Sequence, residues 1–458
     1  MKFSRTTVHR KTHALPTLRF EEQQLTSFSG LVVFQKLIEH LGLKQRFRQC
    51  FRHLTVSPIF GHASIVLLLV VHLLLGFREL RHLRYYEDDP LVRRVLGLKR
   101  LPDVSTISRT LACMDAESVE QLQQCLSNMV LERLQLLALK RVTLDFDGSV
   151  IGTGRFAEGT AVGFNPHKKG QRSYYPLFCT VAQTGQVLAM LHRPGNVHDS
   201  NGAQDFILHC IEQVTGALPG VSIEVRMDSA FFSDAIISAL DKGKIDYTVS
   251  VPFERFAELK AHIEQRCYWY RLNAHSDVFE MRWKPRSWSR RHRFVFVRRK
   301  SKVKYKKPVQ LDMFIPYEYG HEFTVILTNK SLTSSHVVAF HHGRGSQEGI
   351  FGELKSQGQM DYVPTRTWHG NQVYLLSALF AHNLTRELQM IANPPSRSTR
   401  QKRPALWVFE QIETFRRRLI QRAGRLIRPQ GHLTLSMSAN QAVEEELLQY
   451  LNALEQAA

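Results

Sequence analysis

Hydrophobic and polar positions change period along the chain. Between residues 28 and 138 apolar residues recur at helical spacing, with Phe34, Leu37, Ile38 and Leu41 on one face. The run from Ile65 to Phe77 predicts a second helix. It is too short to span a bilayer and contains His72, so a buried helix is expected. A third helix is predicted in the segment Leu101 to Leu111, where Pro102 and Asp103 close one element and Ser105 or Thr106 can cap the next. Small polar residues followed by Arg109 at a helix start suit major-groove reading, which makes Ser105 and Arg109 candidate DNA-reading residues. The competing reading is an ordinary capped helix.

Near Arg141 the pattern becomes strand-like. Val142–Asp147 predicts a strand, and Tyr175–Val181 with Gln186–Leu191 predicts a hairpin turning at Thr184-Gly185. A helical pattern at Asp205–Val214, a strand at Ile223–Asp228, a helix at Ser233–Leu240 and a strand at Tyr247–Val251 follow. Three strands, then helix, strand, helix, strand, is the order of an RNase H-like α/β core. The order breaks over 253–322, where short strand-like pieces such as Phe294–Val297 accompany a basic block. From Arg282 to Lys307 there are thirteen Lys or Arg and no acid. The core resumes at Phe323–Leu327 and in the helix holding Glu348.

The expected fold class is therefore α/β: an RNase H-like core with a β-rich insertion, preceded by an all-α N-terminal domain. Its parts are a basic arm (1–27), a helical DNA-binding domain (28–138), the first part of the core (139–252), a β-rich basic insertion (253–322), the second part of the core (323–395) and a basic C-terminal region (396–458). In the last of these, Arg416, Arg417, Arg418, Arg422, Arg425 and Arg428 read as one basic helix.

Charge adds a partner. Over 458 residues, 61 Lys and Arg face 41 Asp and Glu, a net charge of +20. That surplus favours a polyanion, nucleic acid ahead of an anionic membrane surface. The six cysteines form no C-x-x-C pair, which fits reduced core residues of a cytoplasmic protein better than a disulfide or zinc framework. The first twenty residues are basic and polar, with no apolar core of a secretory signal.

Carboxylates supply the chemistry. Phosphoryl transfer on DNA needs in-line geometry and charge neutralisation, which two Mg²⁺ ions held by carboxylate oxygens provide. Asp147 closes an apolar strand and precedes Gly148-Ser149. Asp228 closes another and runs into Ser229-Ala230. Asp145, two residues before Asp147, faces the same side and stands as a neighbouring support or the alternative first acid. Either aspartate alone reads equally as a turn residue or helix cap. Arg344, Glu348, Phe351 and Lys355 fall along one helix face, so Arg344 and Lys355 could hold phosphates beside Glu348. A solvated helix with an Arg–Glu pair is the plain alternative. Lys168 and Lys169 are candidate phosphate contacts on a loop. Trp283 and Trp288, within the basic block, are candidates for stacking on an unpaired base or for packing a small core.

The Arg344-x3-Glu348-x6-Lys355 spacing resembles the signature around the last catalytic acid of DDE insertion-sequence transposases, with His341 where that signature has Tyr. The segments Leu144–Ser149, Gly163–Gly170, Ser173–Leu177, Arg193–Asn196, Met227–Phe232 and Trp368–Asn371, in this order, are similar to transposase DDE domain group 1, the insertion-sequence family numbered thirteen-eighty. The resemblance implies Asp147, Asp228 and Glu348 as the metal-binding triad and a β insertion before the last acid. The expected function is binding of terminal inverted repeats followed by Mg²⁺-dependent strand cleavage and transfer, with two metal ions and Mn²⁺ as a substitute. The expected partners are double-stranded DNA, as transposon ends and target, and a second copy of the chain in a synaptic dimer; no membrane and no small-molecule substrate is expected. A nucleoid-associated cytoplasmic location follows. The rivals are a DNA-binding regulator with an inert core and an RNase H-like nuclease without strand transfer.

Overall fold

The computed structural model describes residues 20–55, 59–163, 165, 168–197, 201–300, 321–397 and 405–457. Residues 1–19 of the expected arm and the end of the basic block, 301–307, lie outside these.

A nine-stranded mixed sheet frames the molecule. Its order is Tyr270–Asn273, Ser276–Trp283, His292–Lys300, His321–Thr328, Asp246–Ser250, Ser222–Met227, Arg141–Gly148, Leu177–Val181 and Val187–Leu191. Val142, Leu144 and Phe146 of the Arg141–Gly148 strand alternate into one apolar core, while Thr143 and Asp145 are buried on the other face. This strand runs parallel to Ser222–Met227, which is parallel to Asp246–Ser250. On its other side it is antiparallel to Leu177–Val181, which forms a hairpin with Val187–Leu191. The hairpin turns through Gly185 at φ +62°, a conformation that favours glycine.

Strands from the 253–322 stretch extend this same sheet rather than building a separate one. His292–Lys300 pairs with His321–Thr328, which pairs with Asp246–Ser250. The reason lies in alternation. Phe294 and Phe296 enter the core that holds Phe279 and Trp283, while Val295 and Val297 enter a second apolar cluster with Val278, Ile326, Val337 and Val338. With both faces apolar, these strands need cover on both sides.

The helices Leu31–His40, Leu43–Cys50, His62–Leu74, Pro90–Leu96, Val104–Ala112 and Ala116–Leu136 share one core with Trp368–Ala392 and the last helix, Gln441–Gln456. Ile65 to Leu74 is buried throughout, His72 included, as expected of a helix that is apolar on all sides. Among the described residues, no helix is long and apolar enough to cross a membrane. None of the six cysteines is in a disulfide.

Two sequence expectations change. The Val104–Ala112 helix has Asp103, not Ser105 or Thr106, at its N-cap, because Asp103 is still extended after Pro102 (φ −65°, ψ 154°) while Val104 is already helical. The arginine run is not one helix. Helical turns end at Ile420, and Gly424–Ile427 becomes a strand between Leu25–Thr26 and Thr434–Met437. Five of its arginines bond within the chain, among them Arg417 to Glu413, Arg422 to the Arg418 carbonyl and Arg425 to the Gln23 carbonyl. Arg416 is buried and donates to the carbonyls of Leu73, Leu74 and Gln357, capping the end of the His62–Leu74 helix. Arg418 pairs with Glu410 and Glu446.

Candidate active site

Two aspartates stand at the ends of neighbouring strands inside the sheet. The register aligns Phe146 with Met227, so Asp147 and Asp228 follow side by side where the two parallel strands end. Asp228 caps a short turn by accepting from Ala230 N at 3.0 Å. Asp147 Oδ1 accepts from Gly148 N at 2.8 Å. A side chain at Gly148 would place its Cβ 2.6 Å from the Tyr175 ring, so this glycine is required by packing against Tyr175.

The third acid comes from the Gly345–Ser356 helix. Gln347 is buried there and donates to the Asp145 carbonyl at 2.9 Å, pinning the helix to the central strand, and Phe351 packs on Phe178 with ring centroids 5.1 Å apart. Gly343, just before the helix, lets the backbone pass Arg226: a Cβ would lie 2.2 Å from its Nη1. Glu348 projects outward, its side chain 68% exposed. Arg344 joins the acids. Its Nη1 donates to Asp147 Oδ2 at 3.2 Å, and its Nη2 lies 3.6 Å from Glu348 Oε1.

Electrostatics tie the group together. Burial and the Asp228 carboxylate, with a further push from Glu348, raise the Asp147 carboxyl to about 7 against the pull of Arg344 and the Gly148 N–H. Burial lowers the Lys355 ammonium, while Asp361 and Asp147 favour its charged form. The structure therefore ties Asp147 and Glu348 together through Arg344, sets Asp228 at the end of the neighbouring strand, and carries Lys355 on the same helix as Glu348.

Asp145 is set apart. It is 1% exposed and accepts from Arg226 Nε at 2.6 Å and Nη2 at 2.7 Å, the two residues being opposite in register. Arg226 also donates to the Phe340 carbonyl at 2.9 Å. His341 is buried too, bonded through Nε2 to Ser250 Oγ at 2.8 Å and through Nδ1 to Thr248 Oγ1 at 3.0 Å. It fastens the Ser334–His342 helix to the sheet.

The donor chemistry suits a divalent ion. Three hard carboxylates come from three elements, and burial with the neighbouring Asp228 disfavours the charge on Asp147, which a bound cation would relieve. As it stands, Arg344 bridges two of them, and among the described residues no group of three His, Cys, Asp or Glu is drawn together closely enough to hold a metal.

Other candidates lie elsewhere. Lys168 and Lys169 are exposed on the loop before Arg172–Tyr174. Ser105 and Arg109 are exposed on their helix, with Arg109 Nε donating to the Ser105 carbonyl at 3.4 Å. Base stacking by Trp283 and Trp288 is corrected. Both indoles are buried: Trp288 stacks on Phe232 at 4.6 Å, and Trp283 packs on Phe256 and Phe294 while its Nε1 donates to Glu258 at 2.9 Å. Arg226, Gln347 and Tyr175 were not singled out from sequence. Arg226 carried a signal, a charge between the apolar residues Val225 and Met227.

A model of transposase DDE domain group 1 matches residues 10–458. No curated protein matches the chain. Among solved structures, the chain is similar to a piggyBac transposase synaptic complex with hairpin DNA, at 11% identity over 86% of this chain and 79% of that one, with a TM-score of 0.39. It is also similar to the Mos1 mariner paired end complex with Mn, at 11% identity over 37% of this chain and 56% of that one, with a TM-score of 0.17.

Proposed function

The chain belongs to the family transposase DDE domain group 1, and from that premise we propose that it binds the terminal inverted repeats of an insertion sequence and cleaves and transfers their DNA strands at Asp147, Asp228 and Glu348. The observation that carries this reading is that Asp147 and Asp228 stand at the same ends of adjacent parallel strands, with Glu348 joined to Asp147 through Arg344. The parallel set Arg141–Gly148, Ser222–Met227 and Asp246–Ser250, with the antiparallel pair Leu177–Val181 and Val187–Leu191, supports an RNase H-like core.

Mg²⁺ ions, or Mn²⁺ in their place, bound by the three carboxylates would neutralise phosphate charge and make an attacking oxygen more nucleophilic. The chain's own groups do the rest. Asp147 and Asp228 are fixed by strand ends and a short turn, whereas Glu348 rides an exposed helix face and turns from Arg344 to join them. Arg344 and Lys355 flank the acids and hold phosphate oxygens on either side of the scissile bond. Water attacks the phosphorus first and the 3′-oxygen leaves. The resulting 3′-hydroxyl then attacks target DNA, displacing a 3′-oxygen there. Two ends are processed together, so a homodimer on DNA is the working unit. The net charge of +20 favours a nucleoid location.

The test uses labelled end DNA with Mg²⁺. Asp147→Asn, Asp228→Asn and Glu348→Gln should each abolish nicking while end binding persists. Wild-type protein that binds but never nicks supports an inert regulator, and nicks without joined end–target products support a nuclease.

A further inference from the structure

We propose that Arg226 is a positioning residue for the cleavage reaction: its guanidinium sets the helix that carries Glu348 against the strand ends that carry Asp147 and Asp228. The proposal rests on the DNA-processing reading above. Arg226 stands two residues before Asp228 and Asp145 two residues before Asp147, and parallel register places Arg226 and Asp145 opposite one another. Arg226 is fully buried, and each of its guanidinium nitrogens donates. Nε and Nη2 donate to the two Asp145 carboxylate oxygens at 2.6 and 2.7 Å, and Nη1 donates to the Phe340 carbonyl at 2.9 Å. Phe340 lies in the last turn of the Ser334–His342 helix, and its ring centroid is 5.2 Å from Arg226 Cζ. The same carbonyl accepts from Gly343 N at 3.1 Å. Gly343 opens the short junction to the Gly345–Ser356 helix, and a side chain there would place its Cβ 2.2 Å from Arg226 Nη1.

The guanidinium thus touches the sheet on one side and the helix junction on the other. Glu348 lies in the first turn after that junction, so the spacing Arg226 imposes reaches Glu348 within one helical turn. Gln347 adds a tie to the same strand by donating to the Asp145 carbonyl at 2.9 Å, so Asp145 receives Arg226 through its carboxylate and Gln347 through its backbone. Earlier in the Ser334–His342 helix the contact is apolar, Val337 and Val338 clustering with Val295, Val297 and Ile326. Apolar packing is non-directional and holds a helix on a sheet without fixing where along the strands it sits. A buried ion pair adds little stability over apolar residues of the same size, but its forked hydrogen bonds set a direction and a distance. The acids need that setting. Glu348 is exposed and paired with Arg344, and it meets the aspartates only if its helix starts at the right place over their strands.

The experiment replaces both partners together in the full chain. Asp145→Val/Arg226→Met removes the pair at similar volume and strands no buried charge, so its urea midpoint should match or exceed that of the wild type. The nicking rate at saturating end DNA should then fall roughly 100-fold with end affinity unchanged, and Mn²⁺ should bind roughly tenfold more weakly in calorimetric titration without DNA. A folded double variant that keeps either the nicking rate or the Mn²⁺ affinity overturns the proposal. Gly343→Ala probes the same contact from the helix side and decides the matter if the pair variant fails to fold. Its methyl group must displace the guanidinium or the junction, so nicking should fall roughly tenfold. A folded Gly343→Ala chain that nicks at the wild-type rate overturns the proposal. A wild type that binds ends and Mn²⁺ but never nicks overturns the catalytic reading, and the Mn²⁺ titration of the variants then decides whether Arg226 places Glu348.

Discussion

Arg344 reaches from the start of the Gly345–Ser356 helix to the end of the Arg141–Gly148 strand and donates to Asp147 Oδ2 at 3.2 Å. The same guanidinium lies 3.6 Å from Glu348, so one fixed cation stands between two acids proposed to hold divalent ions. A charge that bridges ligands competes with the ion they bind. Arg344→Gln is therefore expected to tighten Mn²⁺ binding by roughly fivefold, about 1 kcal/mol of lost competition, and to lower the melting temperature of the metal-free chain. Calorimetric titration with Mn²⁺ measures the first effect. Weaker Mn²⁺ binding by the variant would mean that Arg344 aligns the acids instead of competing.

Asp145 and Asp147 separate cleanly on stability. Asp145 neutralises Arg226, which is fully buried, through two short hydrogen bonds. Asp145→Asn leaves that charge uncompensated and should destabilise the fold by roughly 3–5 kcal/mol. Asp147→Asn should leave stability unchanged or slightly improved, since burial and Asp228 already disfavour its charge, while abolishing cleavage. Urea unfolding beside a nicking assay distinguishes the two. An Asp145→Asn chain that is stable yet inactive would move the catalytic role to Asp145.

The difference between these acids shows what sequence could and could not carry. Strand period put Asp145 and Asp147 on one face and placed Asp147 and Asp228 at strand ends, because alternation and strand length are local properties. The partner of Asp145 is not local: Arg226 lies 81 residues away and meets it only through parallel register. Gly148 was legible as a special position, but the cause, Tyr175 packed over it, is tertiary. The basic stretch read as an inserted unit because its charges dominate the sequence. Its buried phenylalanines and valines instead add strands to the central sheet. The Arg416–Arg428 run read as a basic helix for the same reason, whereas Arg416 is committed to helix-end carbonyls.

Buried histidines set an acid limit on the fold. His72, His192, His341 and His382 are each held down to about 3 by burial. The folded chain keeps them neutral while the unfolded chain protonates them near 6.5, so their contribution is intact above that pH and is lost as pH falls toward 3. Each adds up to about 1.4 kcal/mol per pH unit within this window. Stability from urea midpoints should therefore fall with increasing steepness below about pH 6. A flat profile from pH 7 to 5 would show that these rings are not held neutral. His192 gives a single-site check: it lies between Tyr174 and Trp368, each ring centroid 4.3 Å away, so His192→Phe should keep the packing and lessen the acid slope.

The two indoles of the basic stretch offer the sharpest contrast between packing and DNA contact. Trp288 is 7% exposed and covers Phe232, with His292 against its edge at 5.5 Å. Trp288→Ala would leave a cavity among these rings and should destabilise by roughly 3–5 kcal/mol. Trp283→Phe keeps most of the buried area beside Phe256 and Phe294 but drops the hydrogen bond to Glu258, a loss of about 1 kcal/mol. Neither change should alter the affinity of the folded chain for single-stranded or duplex DNA, because both indoles are already packed against their neighbours. Unfolding curves together with fluorescence anisotropy check both halves. A Trp283→Phe chain of normal stability with weakened single-strand binding would mean that this indole leaves the core to meet a base.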